Sequence, residues 1–213
     1  MKPCISVGLL LLAVTFHLRA ETVTGSETCV ACHGNQGQGN AALGAPRLAG
    51  QQPDYLLRQL QAFKHGQRGY DPEDGHGAQM RTVVAGLDDA ELKSLAQHFA
   101  QQPPPAPSAA ASGSVADARG ESLYQGTCAA CHGPNAEGFA HLKTPNLSIL
   151  DASYLDRQLT HYTQGMRGAE AHADELGIWM RGIALQIRST EDRLAIIDYL
   201  AGLSAQAPVG AQH

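Results

Sequence analysis

Cys29-Val30-Ala31-Cys32-His33 and Cys128-Ala129-Ala130-Cys131-His132 are two copies of one pattern, C-x-x-C-H, standing 99 residues apart. The spacing has a chemical reading. Two thiols on one helical turn reach the two vinyl groups of a single porphyrin while the adjacent imidazole turns onto its iron, so each copy reads as a c-type haem attachment site. Rival readings fit less well. A thioredoxin-like redox pair gives no reason for the histidine and needs a βαβ setting that the sequence lacks. A zinc site shared by the two motifs would have to close across about a hundred residues and a linker. A disulfide within C-x-x-C is strained and unusual as a staple.

Working outward, the 99-residue offset holds along most of the chain. It pairs Gly34 with Gly133, Pro46 with Pro145, Tyr55-Leu56 with Tyr154-Leu155, Arg58-Gln59-Leu60 with Arg157-Gln158-Leu159, and Arg68-Gly69 with Arg167-Gly168. After one inserted residue the offset becomes 100 and pairs Met80-Arg81 with Met180-Arg181. The chain is a tandem duplication. Between the copies runs a Pro/Ala/Ser/Gly segment with almost nothing large and apolar to bury, which reads as a linker. The expected division is 21–102, linker 103–116, 117–205 and a tail 206–213. Each half is small for a self-sufficient core, so a covalently held porphyrin becomes part of what the helices pack on.

Within the halves the patterning is helical and no period-2 strand stands out. Tyr55 to Phe63 and Tyr154 to Tyr162 are amphipathic runs, with Pro53 marking an early turn, and Gly120 to Cys128 leads into the second motif. Asp88 or Asp89, and Ser189 or Thr190, are N-cap candidates for terminal helices that carry Leu92, Leu95 and Phe99, or Leu194, Ile197 and Leu200, on one face. The first half has the shorter helix ahead of its motif.

Residues 1–20, with Lys2 ahead of the apolar run Val7 to Phe16 and Ala20 before a cut, have the anatomy of a secretory signal peptide. The 213-residue chain has five cysteines, and Cys4 would leave with that leader, so the remaining four divide evenly between two sites. Loss of Lys2 and Arg19 leaves 13 basic against 20 acidic residues, taking the formal charge from −5 to −7. An acidic chain without a Lys/Arg block offers nothing to nucleic-acid phosphates and suits a basic redox partner.

His33 and His132 supply one axial ligand each. Candidates for the other are His65, His76, Met80 and His98 in the first half, and His141, His161, Met166, His172 and Met180 in the second. A ligand needed by both irons should recur in both copies, and Met80 with Met180 is the only such pair; the competing role for a methionine is core packing. His/Met ligation fills both axial positions, which favours outer-sphere electron transfer over haem catalysis. Any of the repeated pairs Arg58/Arg157, Arg68/Arg167 and Arg81/Arg181 suits haem propionates, and the sequence does not choose among them.

The ordered series CVACHG and CAACHG, P-x-L, YLLRQL and YLDRQL, the G-x-R-G pairs, and M-R before a terminal amphipathic helix resembles the di-haem class I cytochromes of the cytochrome c4 family. The resemblance covers essentially the whole chain after the leader. It implies an all-α fold of two tandem cytochrome c domains related by a pseudo-two-fold axis, with propionate edges facing across the interface. It also implies two covalent haem c groups, a periplasmic and in some members membrane-associated location, and an electron carrier rather than an enzyme. The electrons would pass from a quinol-oxidising complex towards a terminal oxidase. The short first lead-in helix departs from the family pattern. The alternatives are a cytochrome subunit of a flavocytochrome-type dehydrogenase, and a di-haem peroxidase, which needs an open ligand position.

Overall fold

The computed structural model describes Val23, residues 25–103 and residues 118–206. The segment read as a signal peptide, with Cys4, nearly all of the segment read as a linker and the last seven residues of the tail lie outside the described residues. The described chain is helical, and its sole β pairing is an isolated bridge between Asn40 and Ala45.

The first half runs α1 (Ser26–His33), α2 (Pro53–Lys64), α3 (Gly75–Val84) and α4 (Asp89–Ala100). The second repeats it as α5 (Ala118–Thr127), α6 (Ala129–His132), α7 (Ala152–Gln164), α8 (Glu175–Ala184) and α9 (Thr190–Gln206). Here the lead-in and motif helices are separate elements that break at Cys128, whereas the described residues of the first half have α1 alone, which matches the expected shorter lead-in.

Local chemistry sets the boundaries. Pro53 opens α2 where its missing N–H costs nothing. Asp88 caps α4 through a reciprocal box: its carboxylate accepts from the Glu91 N–H at 2.9 Å, and the Glu91 carboxylate accepts from the Asp88 N–H at 2.7 Å. Ser189 caps α9, its Oγ accepting from the Asp192 N–H at 3.1 Å.

In the first half α2 packs on α3 and α4, burying Leu56, Leu92, Leu95 and Phe99. In the second, α9 packs on both α5 and α7, around Tyr124, Leu155, Ile196, Ile197 and Leu200. One expectation fails there: Leu194 is 46% exposed. With two neighbours to serve, α9 centres its buried face on Ile196 and Leu200, and Leu194 lies about 200° around the helix from Ile196.

Gly69 shows why Arg-Gly is repeated. At φ +70° it runs against α3, where a Cβ would overlap the backbone of Gly77. Gly168 does the same at φ +80°, its Cβ position lying 2.5 Å from the Gly177 carbonyl oxygen. These close crossings seat the start of α3 and α8, the helices that carry Met80 and Met180.

Candidate functional site

In each half the C-x-x-C-H motif faces an apolar cavity. The first is lined by Cys29, Cys32 and His33 from α1, by Leu56, Leu60 and Phe63 from α2, by Met80 and Val83 from α3, and by Leu95 and Phe99 from α4. The second holds Cys128, Cys131 and His132 with Leu155, Leu159, Met180, Ile183, Ile196 and Leu200. Every predicted thiol, imidazole and thioether thus falls in the cavity of its own half. The other ligand candidates do not, apart from His76, which borders the first cavity.

Both histidines are oriented by a proline carbonyl. His33 Nδ1 lies 2.8 Å from the Pro46 carbonyl oxygen and His132 Nδ1 lies 3.3 Å from that of Pro145, which is what the repeated proline positions do. An Nδ1–H spent on a backbone carbonyl fixes the tautomer and leaves the Nε2 lone pair for a metal. Burial pushes both imidazoles below their usual pKa, and the carbonyl contact opposes it, so the neutral, ligating form prevails near neutrality. The four thiols are unpaired with one another. Burial raises the Cys29 thiol and pushes Cys128 up to about 11. Met80 packs beside Phe63, Val84 and Leu92, so its flexible side chain is held within the cavity wall.

Neither cavity is closed by its own half alone. Tyr154, Arg157 and Gln158 of the second half line the first cavity, and Tyr55 and Arg58 of the first half line the second. Between them runs a buried polar seam. Arg68 donates to Gln59 Oε1 at 2.8 Å, Gln158 Oε1 at 2.9 Å and the Tyr154 hydroxyl at 3.0 Å. Arg167 answers it, donating to Gln158 Oε1 at 2.6 Å and Gln59 Oε1 at 2.7 Å. Each guanidinium also covers an aromatic ring of its own half, Arg68 over Phe63 and Arg167 over Tyr162. The exchange is reciprocal, as a pseudo-two-fold relation requires. Gln51 adds a second tie, its side-chain amide donating to the Asn146 carbonyl at 2.9 Å and accepting from the Asn146 N–H at 2.7 Å.

The seam also tests whether a haem fits. Arg68 and Arg167 are both under a tenth exposed, yet the hydrogen-bond partners found for them are all neutral. The buried Nε atoms of Arg58, Arg157 and Arg181 have no hydrogen-bond partner. A buried cation that meets only neutral groups at the open edge of an apolar cavity, as Arg68 and Arg167 do, is costly unless an anion joins it. Haem carries two carboxylates on one edge of an apolar plate, and an apolar cavity with thiols, a bare imidazole nitrogen and edge guanidiniums matches it.

Sequence reasoning missed Asp74 and Asp174, although offset 100 aligns both them and Gly77 with Gly177. Each caps its methionine helix, accepting from the Gly77 N–H at 2.9 Å and from the Gly177 N–H at 3.0 Å. Trp179 was likewise unmarked. It borders the second cavity at 61% exposure, where the repeat puts Gln79 in the first half.

The cytochrome c family model matches residues 19–102 and 118–204. Cytochrome c4 of Azotobacter vinelandii is 36% identical, the alignment covering 95% of this chain and 100% of that protein. The thiosulfate dehydrogenase electron acceptor of Thiomonas intermedia is 34% identical over 87% of this chain and 84% of its own. Among solved structures, reduced recombinant cytochrome c4 from Pseudomonas stutzeri superposes with a TM-score of 0.66 at 31% identity, covering 84% of this chain and 95% of that one. With two matching domains, two C-x-x-C-H motifs and two cavities shaped for the same plate, the chain belongs to the cytochrome c family, as a di-haem electron carrier of the cytochrome c4 group with two covalently bound haem c groups.

Proposed function

We propose that the chain is a periplasmic carrier in which Cys29 and Cys32 hold the first haem by thioethers and Cys128 and Cys131 hold the second. His33 with Met80, and His132 with Met180, are the axial ligands. One observation carries the assignment: in each half an imidazole whose Nδ1 is taken by a proline carbonyl shares an apolar cavity with the methionine that the repeat retains.

A bound haem supplies a one-electron iron couple, and His/Met ligation raises its potential. The protein does the rest. The apolar walls exclude water, Pro46 and Pro145 orient the imidazoles, and Arg58, Arg68, Arg157 and Arg167 at the seam would meet the carboxylate edges. With a histidine and a methionine both held to the iron, each cavity would leave no place for peroxide, which separates this reading from a peroxidase. The Arg–Gln–Tyr network holds the two cavities edge to edge, so that electrons cross between halves within a fixed frame.

The leader anatomy of residues 1–20 supports export, and no helix among the described residues is long and apolar enough to cross a membrane. The donor is a quinol-oxidising complex and the acceptor a terminal oxidase. A second reading, acceptor of electrons from a periplasmic dehydrogenase, is favoured by the likeness to proteins named thiosulfate dehydrogenase electron acceptors.

Mass spectrometry of the exported protein should find two covalent haems, and Met80→Ala or Met180→Ala should each abolish the sulfur-to-ferric-iron absorption of one haem. Retention of both bands in either variant refutes the ligand assignment. Stopped-flow reduction by each donor class at several ionic strengths decides between the partners, because steering of an acidic carrier weakens with salt.

A further inference from the structure

The reciprocity of the seam breaks beside Asp74. On one side Arg58 forms an ion pair with Asp174, the residue that caps α8. The mirror contact would set Arg157 against Asp74, but Arg157 donates to the Gly44 carbonyl instead. The residue facing Asp74 is His161, one turn further along α7, whose counterpart in the first half is Ala62. His161 Nδ1 lies 3.7 Å from Asp74 Oδ2, beyond a hydrogen bond, and has no other partner. His161 is 9% exposed and Asp74 is 5% exposed. A permanent ion pair on one side is thus matched by a titratable pair on the other.

We propose that His161 is a proton-binding residue that ties the redox state of the first haem to pH, so that reduction of that haem and protonation of His161 favour each other. On the second haem's side the repeat puts Ala62 in place of His161, and Asp174 is paired with Arg58. The inference rests on the proposed seating of the first haem between His33 and Met80.

Asp74 connects the two events. It lines the first cavity and caps α3, the helix on which Met80 stands. With His161 neutral, Asp74 Oδ2 faces an imidazole at 3.7 Å that it does not bond. A proton on Nδ1 closes that gap into a charge-assisted hydrogen bond and adds one positive charge behind the cavity wall. The groups acting on His161 are Asp74 from the cap of α3, Arg157 on its own helix, and Arg68 and Arg167 from the seam. Burial and then the three guanidiniums hold the imidazole below its usual pKa, while Asp74 pulls the other way. The transition therefore lies on the acid side of the ordinary histidine value.

The step balances simply. One electron arrives from the redox partner, the iron centre loses one unit of positive charge, and His161 takes one proton from solvent. Oxidation returns both. Protonation favours the less positive iron, so the midpoint potential of the first haem falls as pH rises through the transition, and linkage makes the His161 pKa higher in the reduced protein.

The test is spectroelectrochemical titration of both haems in the full holoprotein across pH. The first midpoint should fall through an acid-side transition that the second lacks. His161→Gln should abolish the fall and hold the first midpoint at its high-pH value, and His161→Arg should hold it near its low-pH value. His65→Gln, an exposed site, should keep the wild-type profile. A retained fall in His161→Gln, or an equal fall in both haems of the wild type, overturns the proposal. Met80→Ala separates this failure from a failure of the seating: if the haem that titrates keeps its sulfur band in that variant, the seating is wrong and the coupling falls with it.

Discussion

Gln59→Leu should destabilise the protein more than Arg68→Met, although glutamine is neutral and arginine is a buried cation. Gln59 Oε1 accepts from both seam guanidiniums, at 2.8 Å from Arg68 and 2.7 Å from Arg167. Its loss leaves two buried cationic donors short of an acceptor. Hydrogen bonds to charged groups are worth roughly 1.5–3 kcal/mol each. Leucine returns about 1 kcal/mol of apolar burial, so a net cost of about 3 kcal/mol follows. Arg68→Met removes donors at 2.8, 2.9 and 3.0 Å, and of the three acceptors it deprives only the neutral Tyr154 hydroxyl of its guanidinium. Gln59 and Gln158 keep Arg167, at 2.7 and 2.6 Å. The desolvation cost of one buried charge also disappears, so about 1–2 kcal/mol is the expected loss. Guanidinium unfolding of the oxidised holoprotein, followed by helix circular dichroism, measures both. In a double-mutant cycle the pair should cost less than the sum of the singles. Equal stability of Gln59→Leu and wild type, or a larger loss for Arg68→Met, would refute the reasoning and show that the glutamines are not what satisfies the guanidiniums.

Other variants probe single elements. Asp88→Ala removes both bonds of the capping box and should cost about 1 kcal/mol in the same unfolding assay. Leu92→Ala, at a fully buried position, should cost about 2–5 kcal/mol and lower the unfolding midpoint of the first half before that of the second. Gly69→Ala pushes a Cβ into the Gly77 backbone at φ +70°. It should cost at least about 2 kcal/mol and weaken the sulfur band of the first haem, whereas Gly86→Ala, with no neighbour within 4 Å, should be neutral or slightly stabilising.

The duplication made much of this molecule readable from its residues. A side chain that both copies need recurs at a fixed offset, which singled out Met80 and Met180 and explained Pro46 and Pro145 once their carbonyls were seen against the imidazoles. Caps were readable because Asp88 and Ser189 act on backbone only three residues away. The seam was not. Sliding one copy along the other aligns Gln59 with Gln158 but says nothing about each oxygen serving the other copy's arginine, because such contacts join residues about 90 to 108 apart in the chain. Among the repeated arginines, side-chain charge alone could not show that Arg58 and Arg157 reach across while Arg81 turns to the Gly69 carbonyl. His161 was the reverse case. Its lack of a repeated partner argued against iron ligation, and that same lack of symmetry is what sets it against Asp74.

The crossed walls of the two cavities bear on the history of the molecule. Copies that merely stood in tandem could shed one member and leave a working remainder. Here Tyr154 and Arg157 border the first cavity, and Tyr55 and Arg58 the second. Deleting either copy would leave the survivor with an open flank and a stranded guanidinium. Each half supplies part of the other's cavity wall, so mutations along that shared wall are screened by selection through both, and the ancestral doubling holds itself in place.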